Sequence, residues 1–184
     1  MGKHFEFTGE TKVFLGVTLR RIRATMTFTL ACGLTVQKGE EGGWIEKESN
    51  LDEKAWVSGN ARVSDDARVS DDAWVSGNAW VSDDAWVSGN ARVSDDAFLS
   101  RPDHLLQIGL IGSRFDTTTF FRNKAGIIKV VCGCFRGTIA EFRAKVQQTH
   151  GENKFAKVYF AAAALAELQI DVSPIADPDE NEGS

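Results

Sequence analysis

Residues suited to binding an anion are spread along the C-terminal third of the chain. They stand where strands are predicted to end or helices to begin: Ser113, Arg114, Arg122, Arg136, Gly137, Thr138, His150 and Lys154. A helix that begins after a glycine presents free backbone N–H groups to an anion, and the planar guanidinium of arginine binds phosphate through paired hydrogen bonds. The pattern predicts a phosphate or nucleotide pocket. The alternative is that these side chains pair with aspartates elsewhere in the chain, or with Glu141 and Glu152.

The histidines and cysteines indicate weaker chemistry. The three histidines are His4, His104 and His150, and the three cysteines are Cys32, Cys132 and Cys134. A single Cys-x-Cys pair with one distant histidine is a poor match to zinc-site spacing. We expect Cys132 and Cys134 on the same side of one strand, as small buried thiols. The odd number of cysteines favours free thiols over disulfides, and we predict neither a metal site nor a cofactor.

These residues must be positioned by the dominant feature of the sequence, a six-residue unit repeated from Gly43 to Pro102. The ten units read GWIEKE, SNLDEK, AWVSGN, ARVSDD, ARVSDD, AWVSGN, AWVSDD, AWVSGN, ARVSDD and AFLSRP. A period of six fits neither a helix nor a continuous strand, so the chain must turn once in every unit. The turn pairs are Gly-Asn or Asp-Asp, which tolerate positive φ or bond their own backbone.

The regular spacing also predicts which side chains share a surface. The aliphatic residue of each unit and the alanine four positions later are expected to point inward. Stacking units three apart gives three outer ladders: Trp44, Arg62, Trp80 and Phe98; Asn50, Arg68 and Trp86; and Trp56, Trp74 and Arg92. We expect terminal segments or neighbouring subunits to cover these aromatic residues; the alternative is a surface for a planar ligand. Stacked aspartates at positions 65, 66, 83 and 84 leave a calcium site as a further alternative.

The repeated stretch resembles the left-handed parallel β-helix of hexapeptide-repeat proteins. In that family three units form one triangular coil, which implies about three coils here. Its acyltransferases use a histidine as general base, and its γ-class carbonic anhydrases hold zinc with three histidines. The repeats here contain no histidine, so we predict a protein that is not an enzyme. An acyltransferase that uses His104 or His150 is the weaker alternative.

The predicted fold is mainly β, a left-handed parallel β-helix with a cap at one end and a small α+β domain at the other. Its parts are an N-terminal β cap (1–42), the β-helix (43–102), a C-terminal domain of three strands and two helices (103–170), and a disordered acidic tail (171–184). A capping box from Thr138 to Glu141 starts the first helix, and Gly151 ends it. The second helix is predicted from Asn153 to about Leu168, with Phe155, Val158, Ala162, Leu165 and also Ala161 facing inward.

Charge is sorted along the chain, although the formal net charge is only −5. Residues 55–97 carry eight Asp and three Arg, whereas residues 98–170 carry ten Lys and Arg and five Asp and Glu. The acidic repeats and tail argue against nucleic acid as a partner. No apolar run is long enough to cross a membrane, and residues 1–12 lack a signal-peptide pattern. We therefore predict no membrane partner and a cytoplasmic location.

A wider resemblance covers nearly the whole chain. The segments GGWIEKE, IGSR, TTTFFRN, CGCFRGT and THGENKFA, together with the repeats, are similar to those of phage- and prophage-associated hexapeptide-repeat proteins. The resemblance implies a viral or mobile-element context and a homotrimer. We predict a non-enzymatic oligomeric binding protein that sequesters a small anionic, nucleotide-like ligand to counter host defence. The alternative is a structural or protein-interaction module, either a virion component or an inhibitor of a host protein.

Overall fold

A computed structural model describes residues 3–174 of the chain. The N-terminal region forms β1 (Phe5–Phe14), β2 (Val17–Ala24), β3 (Phe28–Thr29) and β4 (Thr35–Val36). The repeats form β5 (Glu41–Ile45), β6 (Trp56–Val57), β7 (Arg62–Val63), β8 (Arg68–Val69), β9 (Trp74–Val75), β10 (Trp80–Val81), β11 (Trp86–Val87), β12 (Arg92–Val93) and β13 (Phe98–Leu99). The C-terminal region forms β14 (Leu105–Ile111), β15 (Asp116–Arg122), β16 (Ile128–Cys132), β17 (Phe135–Thr138), α1 (Ile139–His150) and α2 (Lys154–Gln169). Two short 3-10 helices lie at Glu48–Asn50 and Pro102–His104.

The repeats form a three-turn β-solenoid, and the fold is mainly β as predicted. Residues eighteen apart pair in parallel, so that Trp80 lies between Arg62 and Phe98 in one sheet. Trp86 pairs with Arg68, and Trp74 pairs with both Trp56 and Arg92. Backbone hydrogen bonds of about 2.9 Å join successive coils, as from the Trp56 N–H to the Ala73 carbonyl. This register confirms that units three apart stack. The left-handed sense of the coil stays a prediction.

The chain bends once in each repeat unit from Gly59 to Asp95, at the first residue of the predicted turn pair. The φ angles of these residues lie between 50° and 71°, whether the residue is Gly, as at Gly59 and Gly77, or Asp, as at Asp65 and Asp83. A hydrogen bond from the N–H of Ala61 to the carbonyl of Ser58 closes a typical turn. Glycine reaches this left-handed region without strain, and aspartate tolerates it better than most residues. The backbone at the corner therefore explains why this position of the repeat contains only Gly or Asp.

The interior of the solenoid contains the aliphatic and alanine side chains that the repeat predicts. The aliphatic series from Ile45 to Leu99 and the alanines from Ala55 to Ala97 are each at most 2% exposed. Placing alanines beside branched side chains allows the three walls to approach closely, and close packing of apolar groups is the main source of stability. The prediction of the inward face is confirmed.

The chain covers two of the three outer ladders with its own terminal segments. On the first ladder, the centroids of the Phe14 and Trp80 rings lie 5.2 Å apart. The ammonium nitrogen of Lys12 lies 4.2 Å from the centroid of the Trp44 ring. On the third, Phe28 packs on a fully buried Trp56, with ring centroids 5.7 Å apart. The second ladder differs, because Arg68 is exposed and Trp86 is 60% exposed.

Asn50 does not belong to the outer surface of the second ladder, which corrects the prediction. Its side chain is 1% exposed. The amide nitrogen donates hydrogen bonds to the carbonyl oxygens of Asp65 and Ala67, at 3.0 and 2.8 Å. Asn50 thereby satisfies the backbone of the next coil where the first repeats depart from the regular sequence.

The C-terminal sheet has four antiparallel strands, in the order β14-β15-β16-β17, and not the three predicted. The fourth arises because Gly133, with φ of 58°, occupies the first central position of a two-residue turn that returns the chain after Cys132. Positive φ at that position is what a type II′ hairpin requires. The same turn separates the two thiols: Cys132 is half-buried and Cys134 is exposed. The expectation that both lie buried on one strand was therefore wrong.

Two helices cover one face of this sheet, and α1 matches its prediction closely. Thr138 and Glu141 form the predicted capping box, and Gly151 ends the helix. The predicted inward face of α2 was largely wrong, because Val158 and Leu165 are 41% and 46% exposed. The buried face contains Ala162, as predicted, together with Ala156, Tyr159, Ala163 and Ala166. Its small alanines let the helix approach its neighbours, while Tyr159 fills the space that remains.

The sheet also joins the two cores. Phe121 and Val131 pack into the solenoid core, whereas Phe120 and Val130 face the helices. The side-chain amide of Asn123 donates to Asp96 at the last corner of the solenoid, over 2.9 Å. The C-terminal domain therefore closes the open end of the solenoid, where unpaired strand edges would otherwise be exposed.

The start of the predicted disordered tail is also corrected. Arg101 forms an ion pair with Asp171, and the fully buried Arg122 donates to the carbonyl of Ser173 over 2.9 Å. The chain from 171 to 173 is thus held against the domain. The rest of the predicted tail, residues 175–184, lies outside the described range.

Candidate ligand-binding groove

A groove of about 310 Å³ lies between the loop ends of the C-terminal sheet and the two helices. The β14–β15 loop contributes Ser113 and Arg114, and the β16–β17 turn contributes Cys132, Cys134 and Phe135. One face of α1 contributes Phe142, Lys145, Val146, Thr149 and His150, and α2 contributes Tyr159. The groove is therefore built by four segments that are distant in sequence.

Two glycines fix the position of the loop that bears Arg114. Gly112 has a φ of 71°, and a Cβ there would lie 1.9 Å from the hydroxyl oxygen of Tyr159. A Cβ on Gly133 would lie 2.6 Å from Nη1 of Arg114. A side chain at residue 112 would overlap the Tyr159 ring, whereas one at residue 133 would meet the movable end of Arg114. At both places the positive φ favours glycine. The Arg114 guanidinium consequently lies over the β16–β17 turn at the edge of the groove.

The groove combines a floor of aromatic rings, of which Phe142 and Tyr159 are largely buried and Phe135 is half-buried, with a cationic rim. The Phe142 ring centroid lies 5.5 Å from that of Phe135 and 5.6 Å from that of Tyr159. Arg114, Lys145 and His150 supply basic groups, and the lining residues within 3–174 include no Asp or Glu. Burial, and then the neighbouring Cys132 thiol, raise the pKa of the Tyr159 hydroxyl. The phenol therefore stays neutral and can donate a hydrogen bond at neutral pH.

The structure brings three of the eight sequence-predicted site residues together. Ser113, Arg114 and His150 line the groove. The His150 ring packs near Tyr159 and Phe155, with centroids 5.7 and 6.0 Å away. The other five residues are not in the groove lining: Arg122, Arg136, Gly137, Thr138 and Lys154.

Gly137 and Thr138 do not offer an open anion site, although they begin a helix as predicted. The Glu141 carboxylate accepts hydrogen bonds from the N–H and hydroxyl groups of Thr138, at 2.7 and 2.9 Å. A Cβ on Gly137 would lie 2.8 Å from the same carboxylate. The bond from the Thr138 N–H holds the pKa of Glu141 below its usual value, so a negative charge already occupies this helix end.

Arg122, Arg136 and Lys154 are also separate from the groove. Arg122 is fully buried and donates to the carbonyl oxygens of Asn123, Asp171 and Ser173. Arg136 lies over the Trp74 ring of the solenoid, with its guanidinium carbon 5.6 Å from the centroid. Lys154 lies at the start of α2, 5.0 Å from the Phe155 ring. Within the described residues, Arg122 and Arg136 thus contact backbone carbonyls and an aromatic ring, and not the aspartates or glutamates that the alternative interpretation named.

Lys145, Thr149 and Tyr159 line the groove but were missed from the sequence. Lys145 and Thr149 are four residues apart and follow Phe142 on the same face of α1. That spacing was a usable signal, because residues three and four apart share a helix face. No comparable signal marks Tyr159, which reaches the groove only because α2 packs beside α1 and the sheet.

The remaining chemistry-bearing residues do not form a second site. His4 and His104 are buried; His4 donates to the Ala55 carbonyl, and His104 accepts from the Ser100 N–H. Asp66, one of the stacked aspartates, pairs with Lys47 at 2.9 Å. Among the residues described, no three His, Cys, Asp or Glu side chains are grouped so that they could hold a metal ion. The calcium alternative thus gains no support.

A family model described as the YdcK beta solenoid repeat matches residues 55–71, 61–77 and 67–83. These overlapping matches lie within the repeats, and the chain is a β-solenoid repeat protein. No curated protein and no solved structure matches the chain. Between residues 3 and 174, no helix combines the length and apolar composition needed to cross a bilayer.

Proposed function

We propose that the protein is a non-enzymatic, homo-oligomeric binding protein that sequesters a small anionic ligand in its C-terminal groove. The proposal depends on the groove itself, in which Arg114, Lys145 and His150 surround aromatic side chains, and the part of the chain that the structure describes contributes no acidic residue to the lining. The solenoid is the rigid scaffold, because its core is packed and its coils are joined by regular backbone hydrogen bonds.

The composition of the groove favours a ligand with both a planar ring and a phosphate. Aromatic side chains bind planar rings by stacking or edge contacts, and arginine binds phosphate through its planar fork of donors. The volume of about 310 Å³ lies at the low end of the range of about 300–1,000 Å³ for ligand sites. A mononucleotide therefore fits this proposal better than a dinucleotide.

Isothermal titration calorimetry with nucleoside monophosphates, a cyclic dinucleotide and inorganic phosphate tests the proposal. A mononucleotide should bind more tightly than phosphate alone, because only the nucleotide engages the aromatic floor. Arg114→Ala should weaken binding by about 10- to 100-fold, the equivalent of losing one hydrogen bond to a charged group.

Lys154→Ala is the matched control, since it removes a cation from the same domain but outside the groove. It should leave the affinity unchanged. Equal effects of the two substitutions would show that only the general charge of the domain matters. The absence of binding by every compound tested would reject a nucleotide-like ligand.

Three parts of the proposal come from the similarity of the repeats and C-terminal segments to phage-associated proteins. They are the phage-associated setting, the role against host defence and the homo-oligomer. The structural or protein-interaction alternative is favoured by one observation, the exposure of Trp86 on the solenoid. An acyltransferase has less support, because His104 is buried and bonded to the backbone.

A further inference from the structure

The second outer ladder of the solenoid is an exposed surface of mixed character. Arg68 and Trp86 lie in register on adjacent coils, and Trp86 is 60% exposed. They border an open depression of about 570 Å³ that also contains Lys47, Asp66 and Asp84. A large exposed aromatic side chain among polar residues is typical of a protein-binding surface.

The first ladder shows how this chain covers the same pair of residue types. Arg62 and Trp80 lie in the same parallel register as Arg68 and Trp86. Phe14, next to the turn of the β1–β2 hairpin, covers them: its ring centroid is 3.7 Å from the Arg62 guanidinium carbon and 5.2 Å from the Trp80 ring. A phenylalanine at a hairpin end is therefore a demonstrated partner for an Arg–Trp pair on this solenoid.

A second hairpin of the chain presents an uncovered phenylalanine. Leu110, near the end of β14, and Phe115, in the loop that leads to β15, are 76% and 66% exposed. Their φ angles are 54° and 50°, a region that residues other than glycine seldom occupy. This end of the hairpin thus holds two large apolar side chains in solvent at a conformational cost, a combination found at functional surfaces.

The two surfaces are complementary in charge. On the loop, Arg114 and Asp116 flank Phe115. On the ladder, Asp84 lies two residues before Trp86 in the sequence, and Arg68 pairs with Trp86 on the adjacent coil. Each surface thus contains both acidic and basic side chains, so that Arg114 has an acidic partner available on the ladder and Asp116 has a basic one. Within one chain both surfaces are exposed, so a contact between them requires two chains.

We propose that the Arg68–Trp86 face binds the β14–β15 loop of a second copy of this chain. The inference rests on the homo-oligomer proposed above and identifies its contact. Each copy has one Arg68–Trp86 face and one β14–β15 loop. Because the face of one copy binds the loop of the next, the contact is head-to-tail. Such contacts close into rings when the rotation permits, which fits the trimer that the sequence resemblance implies.

Sedimentation velocity of the full chain tests the contact. The wild type should form an oligomer, and both Trp86→Ala and Phe115→Ala should shift it to monomer while leaving the circular dichroism spectrum unchanged. Leu168→Ala is the matched control, since it truncates a side chain that is 86% exposed on α2; it should sediment like the wild type. A monomeric wild type would overturn both this contact and the homo-oligomer.

Mixing the two variants separates the head-to-tail contact from other arrangements. The Trp86→Ala copy keeps Phe115 and the Phe115→Ala copy keeps Trp86, so the mixture should form dimers that neither variant forms alone. If Trp86→Ala alone dissociates the oligomer and mixing restores nothing, the face binds something other than the loop. If both variants remain oligomeric, the contact is wrong but the homo-oligomer stands.

Arg114 belongs to both the groove and the proposed contact, so calorimetry with the nucleotide is done on the monomeric Trp86→Ala variant, whose substituted residue does not line the groove. Loss of nucleotide binding by that monomer would count against the groove and not against the contact.

Discussion

The guanidinium carbon of Arg62 lies 3.7 Å from the centroid of the Phe14 ring, which fastens the N-terminal hairpin to the solenoid. The same ring meets Trp80 edge-on, at 5.2 Å. A cation above an aromatic ring is attracted by the negative charge of its face. The hairpin therefore covers a side of the solenoid through a specific contact as well as through strand pairing at β5.

Replacing Phe14 with alanine should lower the free energy of unfolding by about 1–3 kcal/mol, since the ring is half-buried and contacts both Arg62 and Trp80. Urea unfolding followed by tryptophan fluorescence measures the change and also detects exposure of Trp80. Val13→Ala, at a neighbouring side chain that is 72% exposed, should change stability by less than about 0.5 kcal/mol. Equal losses in both variants would contradict a specific role for Phe14.

Stacked glycine corners predict unequal effects of the same substitution. A Cβ on Gly77 would lie 2.8 Å from the nitrogen of Asp95 in the next coil, whereas one on Gly59 would come no closer than 3.3 Å to Gly77. Both residues have positive φ, so Gly59→Ala should cost about 1 kcal/mol in backbone strain. Gly77→Ala should cost about 2–4 kcal/mol, because overlap with Asp95 adds to that strain. Urea midpoints compare the two, and equal costs would show that the coils separate readily.

The stability of the protein should decrease as the pH falls from 7.5 to 5. Burial lowers the pKa of His104 from 6.5, with a smaller effect from Arg122, and burial also lowers the pKa of His4. In this pH range the two histidines bind protons more readily in the unfolded chain than in the folded chain. Lowering the pH therefore favours unfolding. Lys12, whose pKa is lowered to about 8, stays largely protonated in both states below pH 7.

Urea midpoints across this pH range measure the effect. His104→Asn, which retains an acceptor for the Ser100 N–H, should flatten part of the pH dependence. Adding His4→Gln, which retains a donor for the Ala55 carbonyl, should flatten it further. A pH dependence that is identical in the wild type and the double variant would assign the effect to other groups.

The solenoid was predictable because its information is local and repeated. Seven of the ten units contain a turn pair, an inward valine and an inward alanine, so seven weak signals reinforce one another. Asn50 was misplaced where the repeat is irregular, since its inward orientation depends on carbonyl groups in the next coil. The hairpin at Gly133 was missed because one glycine between two cysteines carries little statistical weight.

The groove was less predictable, because four separate segments build it. Arg114 and His150 could be found from residue type, but so could Arg122, which the fold buries as an anchor for residues 171–173. The rule that helix starts bind anions failed at Thr138, where Glu141 supplies the negative charge from within the helix. Tyr159 depends on how α2 packs, which the apolar pattern of that helix did not reveal.

The contact between Gly112 and Tyr159 should be the one that holds the Arg114 loop in place. A Cβ at residue 112 would lie 1.9 Å from the tyrosine hydroxyl oxygen, so Gly112→Ala must displace the loop or the ring. We expect it to cost about 2–4 kcal/mol, as overlap added to the strain of a positive φ, and to weaken nucleotide binding.

A double-mutant cycle with Tyr159→Ala isolates this contact, because removing the ring relieves the overlap but not the backbone strain. Urea unfolding should then show that Gly112→Ala costs only about 1 kcal/mol in the Tyr159→Ala background. If the cost is the same in both backgrounds, the loop is not positioned by Tyr159. Arg114 would then owe its place at the groove to the β16–β17 turn, where Gly133 leaves room for its guanidinium.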